Sequence, residues 1–178
     1  GGQITALLIV TLGQLVVALI GGIDLSVGSV VSIAGCIVAT QPDPVWGIAL
    51  ALALGLVVGV FNGVGIAVAG IHPLIMTLST MTFLQGFAYL VLPIPGGRVS
   101  ADLGALANGS LWGVPQALVW CAVCASLVGL LLYRTRLGLH IFAVGANVRS
   151  AHLNGVRAGA VVIVTYVVCS LLAVDGPG

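Results

Sequence analysis

Asp24 is one of only four acids in the sequence, and it lies between long apolar runs in Gly-Gly-Ile-Asp-Leu-Ser-Val-Gly-Ser, residues 21–29. Two glycines can end one helix, and Asp24 or Ser26 can cap the next by accepting from its free N–H groups. Gly28 would permit a neighbouring helix to approach closely. The expected product is a broken helix whose signature is Gly22, Asp24, Ser26 and Gly28. Exposed to hydrocarbon, such a break would strand polar backbone groups, so it has to be buried in protein or line an aqueous path. An acid bordering apolar runs marks a functional position; the competing reading is a surface turn with a capping aspartate.

The remaining reactive side chains do not assemble into a catalytic pattern. His72, His140 and His152 are far apart, and no Ser/His/Asp arrangement or intramembrane carboxylate pair is visible. Cys36, Cys121, Cys124 and Cys169 all fall inside apolar stretches; Cys121-Ala-Val-Cys124 has no strand-turn-helix context for a redox site and no further His or Cys pair nearby at ligand spacing, so all four read as small buried hydrophobes. In Met76-Thr-Leu-Ser-Thr-Met-Thr-Phe-Leu-Gln85, Ser79, Thr82 and Gln85 recur at steps of three and share one side of a helix. That side is a candidate pathway lining; alternatively its hydroxyls bond back to the preceding turn.

The elements that must position these residues follow from polarity. Of 178 residues, 60% are hydrophobic and 5% charged, and the mean hydropathy is +1.28. Five arginines and four aspartates cannot cover a water-soluble globule of this size, and a net charge of +1 provides no basic field for nucleic acid. Lipid is the main solvent. A spanning helix needs ~20 apolar residues, and the charge-free stretches yield six candidates at about 4–20, 26–41, 46–69, 74–92, 114–133 and 158–174. Gly70 and Pro73 divide the third from the fourth. Continuous apolar runs such as 48–60 lack the alternation of a transmembrane barrel. The fold class is therefore an all-α, polytopic transmembrane helix bundle. Gly55, Gly59, Gly63 and Ala67 recur every four residues in the third span and predict a tightly packed helix face.

Arg134, Arg136, Arg149 and Arg157 crowd one acid-free segment, whereas the 93–113 loop, with Arg98 and Asp102, sums to zero. By the positive-inside rule, segment 134–157 is cytoplasmic. Alternation then puts 70–73 inside, 41–44 and 93–113 outside, and the 21–26 break toward the cytoplasmic side. Within the cytoplasmic segment, Asn147 is a good N-cap and Gly155 a good residue just past a helix end. A short surface helix is expected between them, with Val148, Ala151 and His152 on one face that rests on headgroups or docks in a groove of another protein. Gly1 in place of an initiator methionine, and the apolar run cut off at Asp175, lead us to expect one membrane domain over 1–178 that is incomplete at both ends.

Gly-Ile-Asp-Leu-Ser-Val-Gly-Ser at 22–29, His-Pro-Leu-Ile-Met-Thr-Leu at 72–78, Thr-Arg-Leu-Gly at 135–138 and Val-Gly-Ala-Asn at 144–147 together resemble the permease subunits of bacterial ABC sugar importers, of the ribose, xylose, arabinose and galactose class. The resemblance runs to about Ala173. It departs from the usual pattern at Val148-Arg149 and at Gln85. It implies a multi-pass protein of the bacterial inner membrane that works with a second permease subunit, a cytoplasmic ABC ATPase and a periplasmic sugar-binding protein. It also implies a transport subunit rather than an enzyme, with no cofactor of its own, since ATP is bound by the partner. Residues 134–157 would be the cytoplasmic coupling loop, and the coupling helix would fall on Asn147, Arg149, Ser150, Ala151, His152, Leu153 and Gly155.

These readings converge on import of a pentose or hexose by alternating access, driven by external ATP hydrolysis. An ion-coupled secondary transporter would also use a broken helix, with Asp24 as its ion-binding acid. A noncatalytic membrane scaffold would bind a partner through the arginine segment and move no solute.

Overall fold

The computed structural model describes residues 2–91, 110–111 and 114–174. The 93–113 loop with Arg98 and Asp102 therefore lies almost wholly outside the described residues, as do Leu92 and residues 175–178. Among the described residues, eight helices follow in order: α1 Gly2–Leu19, α2 Val27–Thr40, α3 Pro44–Ala67, α4 Pro73–Val91, α5 Gln116–Arg134, α6 Arg136–Ala146, α7 Val148–Leu153 and α8 Ala158–Val174. Before α5, the two-residue strands β1 Ser110–Leu111 and β2 Val114–Pro115 pair antiparallel.

Local chemistry sets these limits. Asp43 accepts a hydrogen bond from the Val45 N–H at 2.9 Å, and Pro44, whose missing N–H costs nothing in a first turn, opens α3. The α1 end is a Schellman turn: Gly21 takes φ +74°, its N–H bonds to the Ala18 carbonyl, and the Gly22 N–H bonds to that of Val17.

The six apolar helices coincide with the six expected spans to within a few residues, as an all-helical membrane bundle requires. By length and apolarity α3 and α4 can each cross a membrane, and α5 with α6, bent by 74°, can make a third crossing. The other apolar helices are shorter. The 14 residues of α2 extend only about 21 Å at ~1.5 Å per residue, against ~30 Å of hydrocarbon. The arginine segment is more structured than the sequence suggests, because α6 occupies the stretch expected to be the first part of a loop.

Small residues decide the main packing. A Cβ on Gly59 would lie 2.5 Å from Val167 Cα, and one on Gly63 2.6 Å from Ile163 Cα. Thus α3 and α8 meet almost backbone to backbone, and Gly55 and Ala67 continue the seam against Ser170 and Gly159. Two apolar clusters result. One gathers Val17, Val30, Ile33, Val58, Leu84 and Tyr166 from α1–α4 and α8. The other joins Val16, Val128, Ile141, Val144, Ala151 and Val161 from α1 and α5–α8.

Candidate functional site

The break between α1 and α2 turns Gly22, Asp24 and Ser26 into the bundle and leaves Gly21, Ile23 and Leu25 exposed. Asp24 and Ser26 have no exposed surface, although α1 and α2 each present other side chains outward. One carboxylate oxygen of Asp24, Oδ1, accepts from the Ser26 N–H at 2.9 Å and from Ser26 Oγ–H at 2.6 Å. This closes a local turn of the kind aspartate favours over helix. Neither residue caps α2 as expected: the Ser26 side chain makes no cap bond to that helix, because its proton goes to Asp24.

The Ser26 hydroxyl in turn accepts from Asn62 Nδ2 of α3 at 2.9 Å, and Asn62 Oδ1 accepts from Thr80 Oγ1–H of α4 at 2.6 Å. The order of donors is fixed by proton count, since Ser26 has one hydroxyl proton and spends it on Asp24. A one-way chain therefore runs Thr80 to Asn62 to Ser26 to Asp24. The exposed-carbonyl problem of a broken helix is met by other elements. Ile23 O accepts from Tyr166 Oη of α8 at 3.3 Å, and Asp24 O accepts from Gln14 Nε2 of α1, while Thr77 Oγ1, 3.5 Å from Ile23 O, has its nearer acceptor in Pro73 O at 2.9 Å. Asn62, Thr77 and Tyr166 are fully buried. Gly22 is needed there because a Cβ would stand 2.7 Å from Tyr166 Oη. The second carboxylate oxygen, Asp24 Oδ2, is buried with no hydrogen-bond partner among the described residues.

Of the expected signature, Gly22, Asp24 and Ser26 are thus brought together, and Gly28 is not. Gly28 is exposed, with nothing within 4 Å of the point a Cβ would occupy, so its expected close approach to a neighbouring helix is absent among the described residues. Ser79, Thr82 and Gln85 are exposed on α4 and lie apart from the break. Ser79 Oγ and Thr82 Oγ1 bond back to the carbonyls of Ile75 and Leu78 at 2.9 and 3.0 Å. The same Ser/Thr run turns Thr77 and Thr80 inward instead. Sequence reasoning misses Gln14, Asn62, Thr77, Thr80 and Tyr166. One signal is available for Asn62, which is the only amide in the 24 residues of α3.

At the arginine segment, the expected short helix is α7. Asn147 Oδ1 accepts from the Ser150 N–H at 2.9 Å, and Gly155 takes φ +79° while its N–H bonds to His152 O. The expected shared face is split: Ala151 is buried in the second cluster, whereas Val148, Arg149, Ser150, His152, Leu153 and Gly155 are exposed. The α7 face therefore seats on this chain's own helices. His140, Asn147, Ser150 and Asn154 rim a shallow groove between α6 and α7. The C-terminal end of α6 reaches the break region, where Gly145 abuts the Leu19 carbonyl.

His72 lies at the α3–α4 turn, where its Nδ1 accepts from the Leu74 N–H at 3.3 Å. Cys169 is buried against Gly13, and Cys36 and Cys121 are half-buried thiols. Among the described residues, no three His, Cys, Asp or Glu side chains come together as metal ligands would.

A helical membrane bundle with an internally braced helix break and a folded arginine-rich cap defines a permease-type protein, and comparison with known proteins agrees. The chain belongs to the family described as the permease component of the branched-chain amino acid transport system, which it matches over residues 2–174. Among individual relatives, it is 35% identical to the galactofuranose transporter permease protein of Escherichia coli (strain K12), over 93% of this chain and 50% of that one. It is 33% identical to the fructose import permease protein of Bifidobacterium longum (strain NCC 2705), over 93% and 49%. It is also 33% identical to the ribose import permease protein of E. coli (strain K12), over 93% and 54%. The chain thus spans about half the length of these relatives. All three relatives are named as permeases. No solved structure matches the chain.

Proposed function

We propose that the chain is part of a permease subunit of an ATP-driven ABC importer that moves a monosaccharide, a pentose or hexose, across the bacterial inner membrane by alternating access. A second permease subunit completes the pathway, a cytoplasmic ABC ATPase supplies the energy by binding and hydrolysing ATP, and a periplasmic binding protein delivers the sugar. Segment 134–157 is the cytoplasmic coupling loop, and the exposed face of α7, with Arg149, Ser150, His152 and Leu153, receives the ATPase.

The observation that carries this reading is the seating of the arginine-rich cap. Ala151 of α7 is buried in the same cluster as Val16 of α1, three residues before the α1 end that opens the break. A push on α7 is therefore delivered to packed helices rather than absorbed by a loose loop. Sugar as substrate is supported by the relatives, whose names include galactofuranose, fructose and ribose.

The test is uptake of labelled ribose, fructose and galactofuranose by the complete permease, reconstituted in proteoliposomes with its ATPase and binding protein. Uptake that requires ATP and stops with a hydrolysis-deficient ATPase supports the proposal. Uptake that persists without the ATPase and collapses with an ion gradient instead supports ion coupling, for which the unpartnered Asp24 Oδ2 would be the ligand. Binding of the ATPase with no solute moved would make the chain a scaffold.

A further inference from the structure

We propose that Asn62, held between Ser26 and Thr80, is a positioning residue of the transport cycle: it ties the helix break to the α3–α4 hairpin so that the three move as one body. This role rests on the permease reading above and adds to it a specific latch.

The geometry separates this latch from the ordinary need to satisfy polar groups. The carbonyls of the break, Ile23 O and Asp24 O, are already supplied by Tyr166 and Gln14. The Asp24 Oδ1 atom is supplied by the Ser26 backbone N–H at 2.9 Å without help from any other element. Thr80 Oγ1 also lies 3.1 Å from Met76 O in its own helix, the usual resting partner of a helical threonine. None of these groups therefore requires a carboxamide at position 62. What Asn62 does is join three elements through one side chain: its Nδ2 reaches Ser26 across 36 positions of sequence at 2.9 Å, and its Oδ1 draws the Thr80 proton at 2.6 Å.

Asn62 lies next to the glycine seam. Gly59 and Gly63 press α3 onto α8, leaving no slack on that side. Asn62, on the adjoining face of the same turn, bonds to the break and to α4. A displacement that reaches α8 or α1 is then transmitted to α3, the break and α4 together. Without the carboxamide, the break would still be folded and α4 would still be helical, with Ser29 Oγ still bonded to Met81 O at 3.2 Å between α2 and α4, but α3 would lose its side-chain link to both.

The chain of donors also sets which substitutions are informative. Thr80→Val keeps the side-chain shape and removes the proton given to Asn62; Thr80→Ser keeps the proton. Asn62→Ala removes both links at once.

The experiment uses the complete permease with its ATPase and binding protein in proteoliposomes, and measures sugar moved per ATP hydrolysed, together with the KM and kcat of uptake for sugar-loaded binding protein. Loss of a buried hydrogen bond with its partner left unpaired corresponds to about a tenfold change. We expect Asn62→Ala and Thr80→Val each to lower sugar moved per ATP about tenfold through kcat, with KM held. Thr80→Ser should restore the ratio, and the Asn62→Ala/Thr80→Val double variant should be no worse than Asn62→Ala.

A ratio equal to wild type in Thr80→Val overturns the latch, as do losses that multiply in the double variant. If Asn62→Ala does not assemble, Thr80→Val and its Thr80→Ser rescue decide alone. Failure of both to assemble makes the chain of bonds a folding element only, which also overturns the role. A wild-type complex that moves no sugar with ATP removes the permease reading itself, and the latch with it.

Discussion

Replacing Gly59 by alanine tests the packing on which the break depends. The added methyl would lie 2.5 Å from Val167 Cα, 2.9 Å from Tyr166 O and 3.0 Å from Val167 N, all backbone atoms that cannot rotate away. Non-bonded carbons rest ~3.5–4.0 Å apart, so α3 and α8 must separate by roughly 1 Å, a gap that forfeits up to half of each contact's dispersion along the seam. Overpacking of this kind costs about 1–3 kcal/mol, offset by about 1 kcal/mol because alanine is the better helix former. The expected net loss is about 0–2 kcal/mol, or about 1–3 kcal/mol relative to an alanine that gains the helix propensity without the clash, and it carries a local consequence. Pushing α8 away takes Tyr166 Oη from the Ile23 carbonyl, now 3.3 Å distant, and loosens the break. Gly129 is the control, since an alanine there meets nothing within 4 Å and should be neutral or stabilising. Thermal unfolding of the complete permease in detergent measures both. If Gly59→Ala melts with or above Gly129→Ala, the backbone-to-backbone seam is not what holds α3 against α8.

Three other outcomes are expected. Asn147→Ala removes the cap on the Ser150 N–H and should destabilise α7 by about 1 kcal/mol, read as faster amide exchange confined to 148–153. A cysteine placed at the exposed Ser150 should react with a membrane-impermeant thiol reagent only when the cytoplasmic face is opened; labelling from outside intact cells would invert the proposed orientation. Isothermal titration of the complete permease with its sugar should show only weak binding, because a tight membrane pocket would retain what the binding protein surrenders; a sub-micromolar affinity in the absence of the other subunits would contradict transfer by release.

The six apolar helices are legible in the sequence because their limits are local facts. Prolines, the capping Asp43 and turn glycines bound them, and the absence of charge sustains them. The Gly55, Gly59, Gly63 and Ala67 face is legible for the same reason, as periodicity within one segment. Helix α6 is not, since its apolar positions, Ile141 and Val144, pack under the bundle rather than in lipid, and a stretch flanked by arginines resembles a loop until its partner is known. Gly22, Asp24 and Ser26 announce the break, yet nothing near them announces its bracing. Asn62 and Thr80 belong to different helices, and neither helix alone says that a side chain from the other will meet it. On α4, periodicity alone selects Ser79, Thr82 and Gln85, one step around the helix from the buried pair Thr77 and Thr80. The outward hydroxyls satisfy themselves on their own backbone, and only the packed fold reveals which side faces the break.

The two apolar clusters are in series rather than side by side. Val16 of α1 belongs to the cluster that holds Ala151 of the cap, and Val17, the next residue, to the cluster that surrounds the break. Helix α8 repeats the arrangement, with Val161 in the first and Tyr166 in the second. Neighbouring residues of one rigid helix cannot shift independently, and close-packed interiors transmit strain rather than absorb it. A movement of the cap that displaces Ala151 bears on the cluster that also holds Val16 and Val161, whose helices carry Val17 and Tyr166. Tyr166 holds the break by its Ile23 carbonyl, and Val17 holds it by the Gly22 N–H at 3.0 Å. The surface that bears the arginines and the buried aspartate are joined through α1 and α8, with the glycine seam fixing α3 to the same α8 and Asn62 carrying the connection on to α4.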